Sequence, residues 1–285
     1  MKYIIVAKNV YEGNSLSDIA NPLAVTEIAT ELVITRLMLI DLLQQSLISV
    51  DDCVVTIPER KCLYTKIFNN VIDFSELSNS ITPEDTVIDL LENGIFDQMA
   101  AGTVDSRIIP YKPFYRNWDR DKELLSNVDW SDMNGYELDK PFVALVIRKR
   151  AAWAEKNMTD EFWTELINKL KENNKKIFVF GKETQVWADG LNVEYVKNYQ
   201  DWCTLVKHEN CKSVVSTMTG GVYPCLTFGS PDIKMTIIDN TNLMAQHRGD
   251  PSFYDSCINF SKIEIEFINE IPTIEELYGR IEKSL

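Results

Sequence analysis

Short apolar runs recur along the chain, separated by stretches whose apolar residues fall at helical spacing. The first run, Tyr3–Ala7, leads into a polar loop, Lys8–Asn21. Over Ala24–Leu47 the apolar positions repeat at helical spacing and are interrupted by Glu27, Glu31, Arg36 and Asp41. This predicts a largely buried amphipathic helix with Asn21 as N-cap and Pro22 at the first helical position. A second strand, Cys53–Ile57, is closed by Pro58. A helical stretch around Tyr64–Asn69 and a short strand, Val71–Phe74, follow. Thr82-Pro83-Glu84-Asp85 reads as the start of another helix running into Val87–Asn93.

From Ile109 to Lys140 the pattern breaks into aromatics, prolines and charges. It then restarts. Phe142–Ile147 is a continuous apolar strand of the kind buried on both faces. Thr159–Asn173 is amphipathic, with Thr159 as N-cap and Asp160 and Glu161 in the first turn, where they suit the helix dipole. Strands Ile177–Phe180, Val193–Val196, Ser213–Ser216 and Met235–Ile238 alternate with helices near Tyr199–His208 and Tyr223–Phe228. Ile263–Phe267 suits an edge strand, and Thr273–Ser284 a terminal helix. Strand and helix alternate in both halves, so the expected class is α/β, with two Rossmann-like lobes and a cleft between them. The expected division is 1–120, a connector at 121–140, and 141–285.

Composition narrows the function classes. Of 285 residues, 45% are hydrophobic, enough for one large core or two modest ones. The formal net charge of −14 repels nucleic acid and anionic membrane. A phosphate-bearing ligand therefore needs a local cluster of positive groups working against the global field. The six cysteines form no CxxC pair and only two histidines are present, which argues against a structural zinc site. Neither a secretory leader nor an uncharged run long enough to span a membrane is evident. Reduced thiols in the cytoplasm are the expectation.

Open parallel sheets bind ligands beyond the carboxyl ends of their strands, so the loops that follow the strands are the candidate chemistry. Arg148, Lys149 and Arg150 follow a buried strand directly, with Trp153, Lys156 and Asn157 just after. Guanidinium groups match phosphate geometry, and three cations at one strand end fit a diphosphate. An exposed basic turn paired with surface carboxylates is the alternative. Ser216-Thr217-Met218-Thr219-Gly220-Gly221 joins a strand to a helix. Its glycines permit close backbone approach, and its spacing is neither that of a Walker loop nor of a dinucleotide fingerprint. Gly181 and Lys182 follow another strand, where a purely structural turn competes with a ligand role. Glu12 and Asp18 lie in or just beyond the first loop, where a carboxylate would accept a proton from an acceptor hydroxyl. His247, in a loop after a strand, reads as a surface or structural residue, with a base or phosphate ligand as the alternative, and His208 needs no function. Tyr111, Phe114, Tyr115 and Trp118 serve either to stack a sugar or base or to pack the lobes.

The order of strand, Arg-rich loop with a following Lys-Asn, amphipathic helix, strand ending in Gly, and Ser-Thr-x-Thr-Gly-Gly resembles the donor-binding half of GT-B glycosyltransferases. The heptosyltransferase-like and fucosyltransferase-like branches are the most similar, over roughly Pro141–Ile238. The short length and loops also resemble glycosyltransferases of large DNA viruses of algae. The resemblance implies a cytoplasmic, metal-independent enzyme with no cofactor beyond its substrate, a UDP- or GDP-linked sugar. Its acceptor would be a hydroxyl on a glycan or glycoprotein. Arg148, Arg150 and Lys156 would meet the diphosphate, Gly181 and Lys182 the nucleotide, and Ser216, Thr217, Thr219, Gly220 and Gly221 the phosphate through backbone N–H groups. The chain departs from the pattern in two places. Ser-Thr-Met-Thr-Gly-Gly replaces an expected Asp-Ser-Gly, and Val146-Ile147 replaces an expected His before the Arg pair. A pyruvyl transferase, a nucleotide-sugar epimerase or a non-catalytic nucleotide-binding protein on the same fold are the alternatives.

Overall fold

The computed structural model describes residues 1–7, 32, 35–90, 126–149, 154–181, 184–240 and 262–285. The chain divides into two compact units, Met1–Trp130 and Ser131–Leu285, and the division falls inside the 121–140 stretch.

In the first unit four parallel strands, β1 (Lys2–Ile5), β2 (Cys53–Thr56), β3 (Asn70–Asp73) and β4 (Thr86–Asp89), stand in the order β3-β2-β1-β4. Helix α1 (Arg36–Gln44) lies within the 24–47 helical pattern and ends before its predicted limit, residues 45–46 forming a turn. Its Leu39, Ile40 and Leu42 are buried, as are Ile4, Ile5, Val54 and Val55 of the two central strands. Apolar runs without alternation mark strands covered on both faces.

Two expectations are corrected here. Thr82–Asp85 is a turn and not a helix start. The Thr82 N–H and hydroxyl both donate to the Asp85 carboxylate (2.9 and 3.0 Å), and Asp85 also pairs with the N-terminal ammonium at 3.1 Å. These bonds, the Thr82 N–H first, lower the Asp85 carboxyl below its ordinary value. The β-branched residues that follow then pair with β1 in the register Lys2↔Thr86 to Ile5↔Asp89. Turn chemistry and strand pairing together override the Thr-Pro-Glu-Asp helix signal. Helical structure also begins before Tyr64–Asn69, as a 3-10 helix over Pro58–Leu63, where Pro58 supplies the fixed φ of a helix start. After β3, Asp73 caps a further 3-10 turn, and the four-residue α2 (Leu77–Ser80) follows it.

The second unit is built on six parallel strands in the order β10-β9-β8-β5-β6-β7. They are β5 (Phe142–Val146), β6 (Lys176–Phe180), β7 (Glu194–Tyr195), β8 (Cys211–Thr217), β9 (Lys234–Ile238) and β10 (Glu264–Ile268). The helices are α3 (Asp160–Glu172), α4 (Gln185–Gly190), α5 (Tyr199–Lys207), α6 (Tyr223–Phe228) and α7 (Ile274–Glu282). Thr159 caps α3 by accepting from the Phe162 N–H, as its sequence predicts. Trp163, Leu166, Ile167 and Leu170 on one face of α3 are fully buried, and they pack with Val143 and Leu145 of β5 and with Leu277 and Ile281 of α7. Each such aliphatic side chain contributes about 1.5–3 kcal/mol through burial. β10 stands at the sheet edge with Glu264 and Glu266 exposed, matching its alternating sequence.

The stretch before β5 is tied to α5. The Tyr136 hydroxyl donates to Asp201 at 2.9 Å, and Asp201 also accepts from the Asn198 amide that caps the helix. Burial, with a smaller contribution from Asp201 and against the Lys197 N–H, pushes the Tyr136 hydroxyl from 10.0 up to about 12. The unfolded chain therefore releases this proton at lower pH than the folded one. The contribution to stability is intact below pH 10 and is lost as pH rises towards about 12. Absorbance titration of phenolate should show a late step near that value in the native protein, and Tyr136→Phe should remove it.

Candidate functional site

The chain enters the second sheet at β5, winds outward through β6 and β7, then returns to the other side of β5 as β8 and continues to β9 and β10. The winding direction reverses between β5 and β8. At such a reversal the loops leave in opposite directions, and a crevice opens beyond the carboxyl ends of the two strands. Val146 pairs with Ser216 on one side and with Phe180 on the other, so the residues that follow all three strands begin at one edge.

Two glycines let these turns close on each other. At Gly181 a Cβ would lie 2.1 Å from the Ile147 carbonyl oxygen, and at Gly221 it would lie 2.6 Å from Val146 Cγ1. The Gly181 carbonyl accepts from the hydroxyls of Thr184 (2.7 Å) and Tyr195 (2.9 Å). The Gly221 carbonyl accepts from the Trp202 indole at 2.9 Å, and Trp202 stacks on Phe180 at 5.0 Å. Both glycines thus have a packing reason to be glycine. Trp202 is a residue that sequence reasoning passed over, because a tryptophan on an amphipathic helix reads as core.

Arg148 lies two residues beyond β5, and although charged it is only 4% exposed. Its guanidinium donates to the Asn157 carboxamide oxygen at 2.5 Å. Burying a guanidinium is costly unless it is held by partners, so its place is fixed rather than incidental. Lys149 turns elsewhere. It pairs with Asp160 at 2.7 Å and lies over the Trp187 ring at 4.5 Å. Lys156 closes a 3-10 turn, Ala154–Lys156, and is half-buried. Arg150, Trp153 and Lys182 lie outside the described residues, as do Glu12, Asp18, His247 and the aromatics Tyr111, Phe114, Tyr115 and Trp118.

Across the reversal point, Ser216 is buried and its hydroxyl lies 3.1 Å from the Val146 carbonyl and 2.7 Å from its neighbour at Thr217, pinning β8 to β5. Thr217 is also fully buried. Thr219 is extended and makes no capping bond, and Gly220–Val222 form a single 3-10 turn leading into α6. The N–H groups of Gly220 and Gly221, first in that turn, have no acceptor within it. α6 is only six residues long and has Pro224 in its first turn, so any anion contact rests on the turn and not on a helix dipole.

Directly after β9 come Asp239, fully buried, and Asn240, whose amide donates to the Glu155 carbonyl at 2.9 Å. In the sequence they are two polar residues after an apolar strand, a pattern that any loop can carry. Among the described residues no group of three or more His, Cys, Asp or Glu side chains is placed to hold a metal. His208 accepts from the Asn210 N–H, and Cys211 and Cys225 are buried with their thiols pushed up by burial. No described helix is long and apolar enough to cross a membrane.

No family model matches the chain, and no curated protein matches its sequence. Solved structures do. The E. coli heptosyltransferase WaaC with ADP is 14% identical at a TM-score of 0.53, over 100% of both chains. The same enzyme with ADP-2-deoxy-2-fluoro heptose matches at 0.52 and 14% identity, again over 100% of both. E. coli ADP-heptose lps heptosyltransferase II matches at 0.53 with 9% identity, over 99% of each chain. With two parallel α/β units and this full-length correspondence, the chain has the GT-B fold of the glycosyltransferases.

Proposed function

We propose that the protein transfers a sugar from a nucleoside-diphosphate sugar to a hydroxyl group. The observation that carries this reading is the buried guanidinium of Arg148 at the β5–β8 reversal, at the same sheet edge as a turn whose first N–H groups, Gly220 and Gly221, have no acceptor within it. Positive charge and backbone donors at one edge suit a departing diphosphate, whose charge grows as the glycosidic bond breaks. Arg148, Arg150 and Lys156 would meet the diphosphate. Gly181 and Gly221 would act by letting the turns close, and Lys182 and Thr219 would border the nucleotide and phosphate. The full-length likeness to enzymes solved with ADP and with an ADP-linked heptose analogue supports a nucleotide-linked donor, so adenosine joins uridine and guanosine among the candidates. No metal or further cofactor is required in this scheme, and the acceptor would be a glycan or glycoprotein hydroxyl. The acceptor base is proposed to be Glu12 or Asp18. Both follow β1, which borders the reversal between β1 and β4 in the first sheet.

A melting-temperature screen against ADP-, UDP- and GDP-linked sugars tests this. A ligand at 100 times its dissociation constant adds about 2.7 kcal/mol. For units of this size that raises Tm by about 5–10 °C. One nucleotide series should shift and the others should not. No shift with any of them would remove the reading. Of Glu12→Ala and Asp18→Ala, the one that removes the base should stop transfer while leaving the nucleotide shift in place.

A further inference from the structure

At the carboxyl ends of β8 and β9 two buried polar side-chain atoms have no hydrogen-bond partner: the Thr217 hydroxyl and the Asn240 carboxamide oxygen. Thr217 is 0% exposed. A buried group left without a partner costs free energy comparable to a lost hydrogen bond, so it needs an explanation. The two belong to one place. Thr217 pairs with Ile238, the last residue of β9, and Asn240 is the second residue beyond it. Asn240 then reaches the Glu155 carbonyl in the turn that follows β5. β8 stands between β9 and β5, so this 2.9 Å bond joins the segments that follow the two strands flanking Thr217's own. The same post-β5 segment carries Asn157, which holds Arg148. Asp239, fully buried and with a partner of its own, lies next to Asn240 in the chain.

The chemistry of this set differs from that of the cationic edge. A carboxamide oxygen accepts only, a hydroxyl both accepts and donates, and a carboxylate has room for further bonds beyond its first. Such a set repels phosphate and suits a ligand that presents hydroxyl hydrogens. Resting on the nucleotide-sugar reading above, we propose that Thr217 and Asn240, with Asp239 beside them, form the subsite that recognises ring hydroxyls of the donor. Arg148 and the Thr219–Gly221 turn would hold the phosphates. The hydroxyls belong either to the transferred sugar or to the ribose.

The test compares Thr217→Val, which keeps the shape and removes the hydroxyl, with the wild type. Probes are ADP, UDP and GDP, their 2′-deoxy forms, and ADP-glucose, UDP-glucose and GDP-mannose, titrated calorimetrically. Two effects of opposite sign are expected. The ligand-free variant should melt higher, by about 2–4 °C, because an unpaired buried hydroxyl is gone. Binding should weaken by about 10-fold or more. Loss confined to the sugar-linked probe assigns the subsite to the transferred sugar. Loss with the nucleotide and its sugar-linked form, but not with the 2′-deoxy nucleotide, assigns it to the ribose. Thr217→Ser should restore binding. Asn240→Ala should show the same ligand selectivity should Thr217→Val fold poorly. Equal affinity of variant and wild type for every probe, or equal weakening for all including the 2′-deoxy forms, overturns the subsite and leaves the donor reading standing. Failure of the wild type to bind any probe overturns both.

Discussion

Gly181→Ala is expected to cost about 3 kcal/mol, the upper part of the range for forcing an extra methyl group into a packed site. The added carbon would meet the Ile147 carbonyl oxygen at 2.1 Å, its carbonyl carbon at 3.1 Å and Thr184 Cγ2 at 3.2 Å. The first of these neighbours is backbone and cannot rotate away. The Ile147 N–H is bonded to the Phe180 carbonyl at 2.8 Å, continuing the β5–β6 pairing, so the peptide is held from its other side. The strands must part by roughly 1 Å to reach ordinary contact. Calorimetry should show a fall in Tm of about 6–12 °C. Nucleotide binding should weaken as well, because Arg148 is the next residue after Ile147. The same substitution at Gly279, inside α7 with nothing within 4 Å of the added carbon, should instead stabilise by about 1 kcal/mol from helix propensity. Opposite signs from one chemical change would show that space at Gly181, not glycine content, sets the outcome.

Arg148→Gln should weaken nucleoside-diphosphate binding by about 30–100-fold, the worth of one or two charge-assisted hydrogen bonds. Glutamine still reaches for Asn157 with an amide but carries no charge and no fork of donors. Arg148→Lys should fall between the two, because an ammonium keeps the charge and loses the bidentate geometry. Lys149→Gln should have little effect on binding, since Lys149 is already engaged by Asp160 and the Trp187 ring. A reversed order, with Lys149 the critical cation, would place the anion on the other face of the strand end.

The second half of the fold was legible because its signals agree. Phe142–Ile147 is apolar throughout and becomes the central strand β5, and the Thr159 cap and the stripe Trp163, Leu166, Ile167, Leu170 fix α3. The first half misled where local chemistry and tertiary pairing conflict. Thr82-Pro83-Glu84-Asp85 carries every helix-start residue, yet Asp85 is spent on Thr82 and the N-terminal ammonium, and the following Val87 and Ile88 pair with β1. Pairing with a strand some 80 residues away leaves no trace in a local window. At the candidate site, the sequence places Arg148 just beyond a buried strand, and the structure puts it two residues after β5. Which partners Arg148 and Lys149 take could not be read there, because that depends on where Asn157, Asp160 and Trp187 lie in space. Asp239 and Asn240 were missed because two polar residues after a strand look like any loop until strand order places them beside Thr217.

The donor site requires an anion held where β5 and β8 diverge. Amide hydrogen exchange, followed by mass spectrometry with and without millimolar ADP, UDP or GDP, reads this place directly. Protection should appear in peptides covering Ile147–Lys149 and Thr217–Val222, and should be lost in Arg148→Gln. Protection of other segments by a bound nucleotide, with these two unchanged, would contradict it.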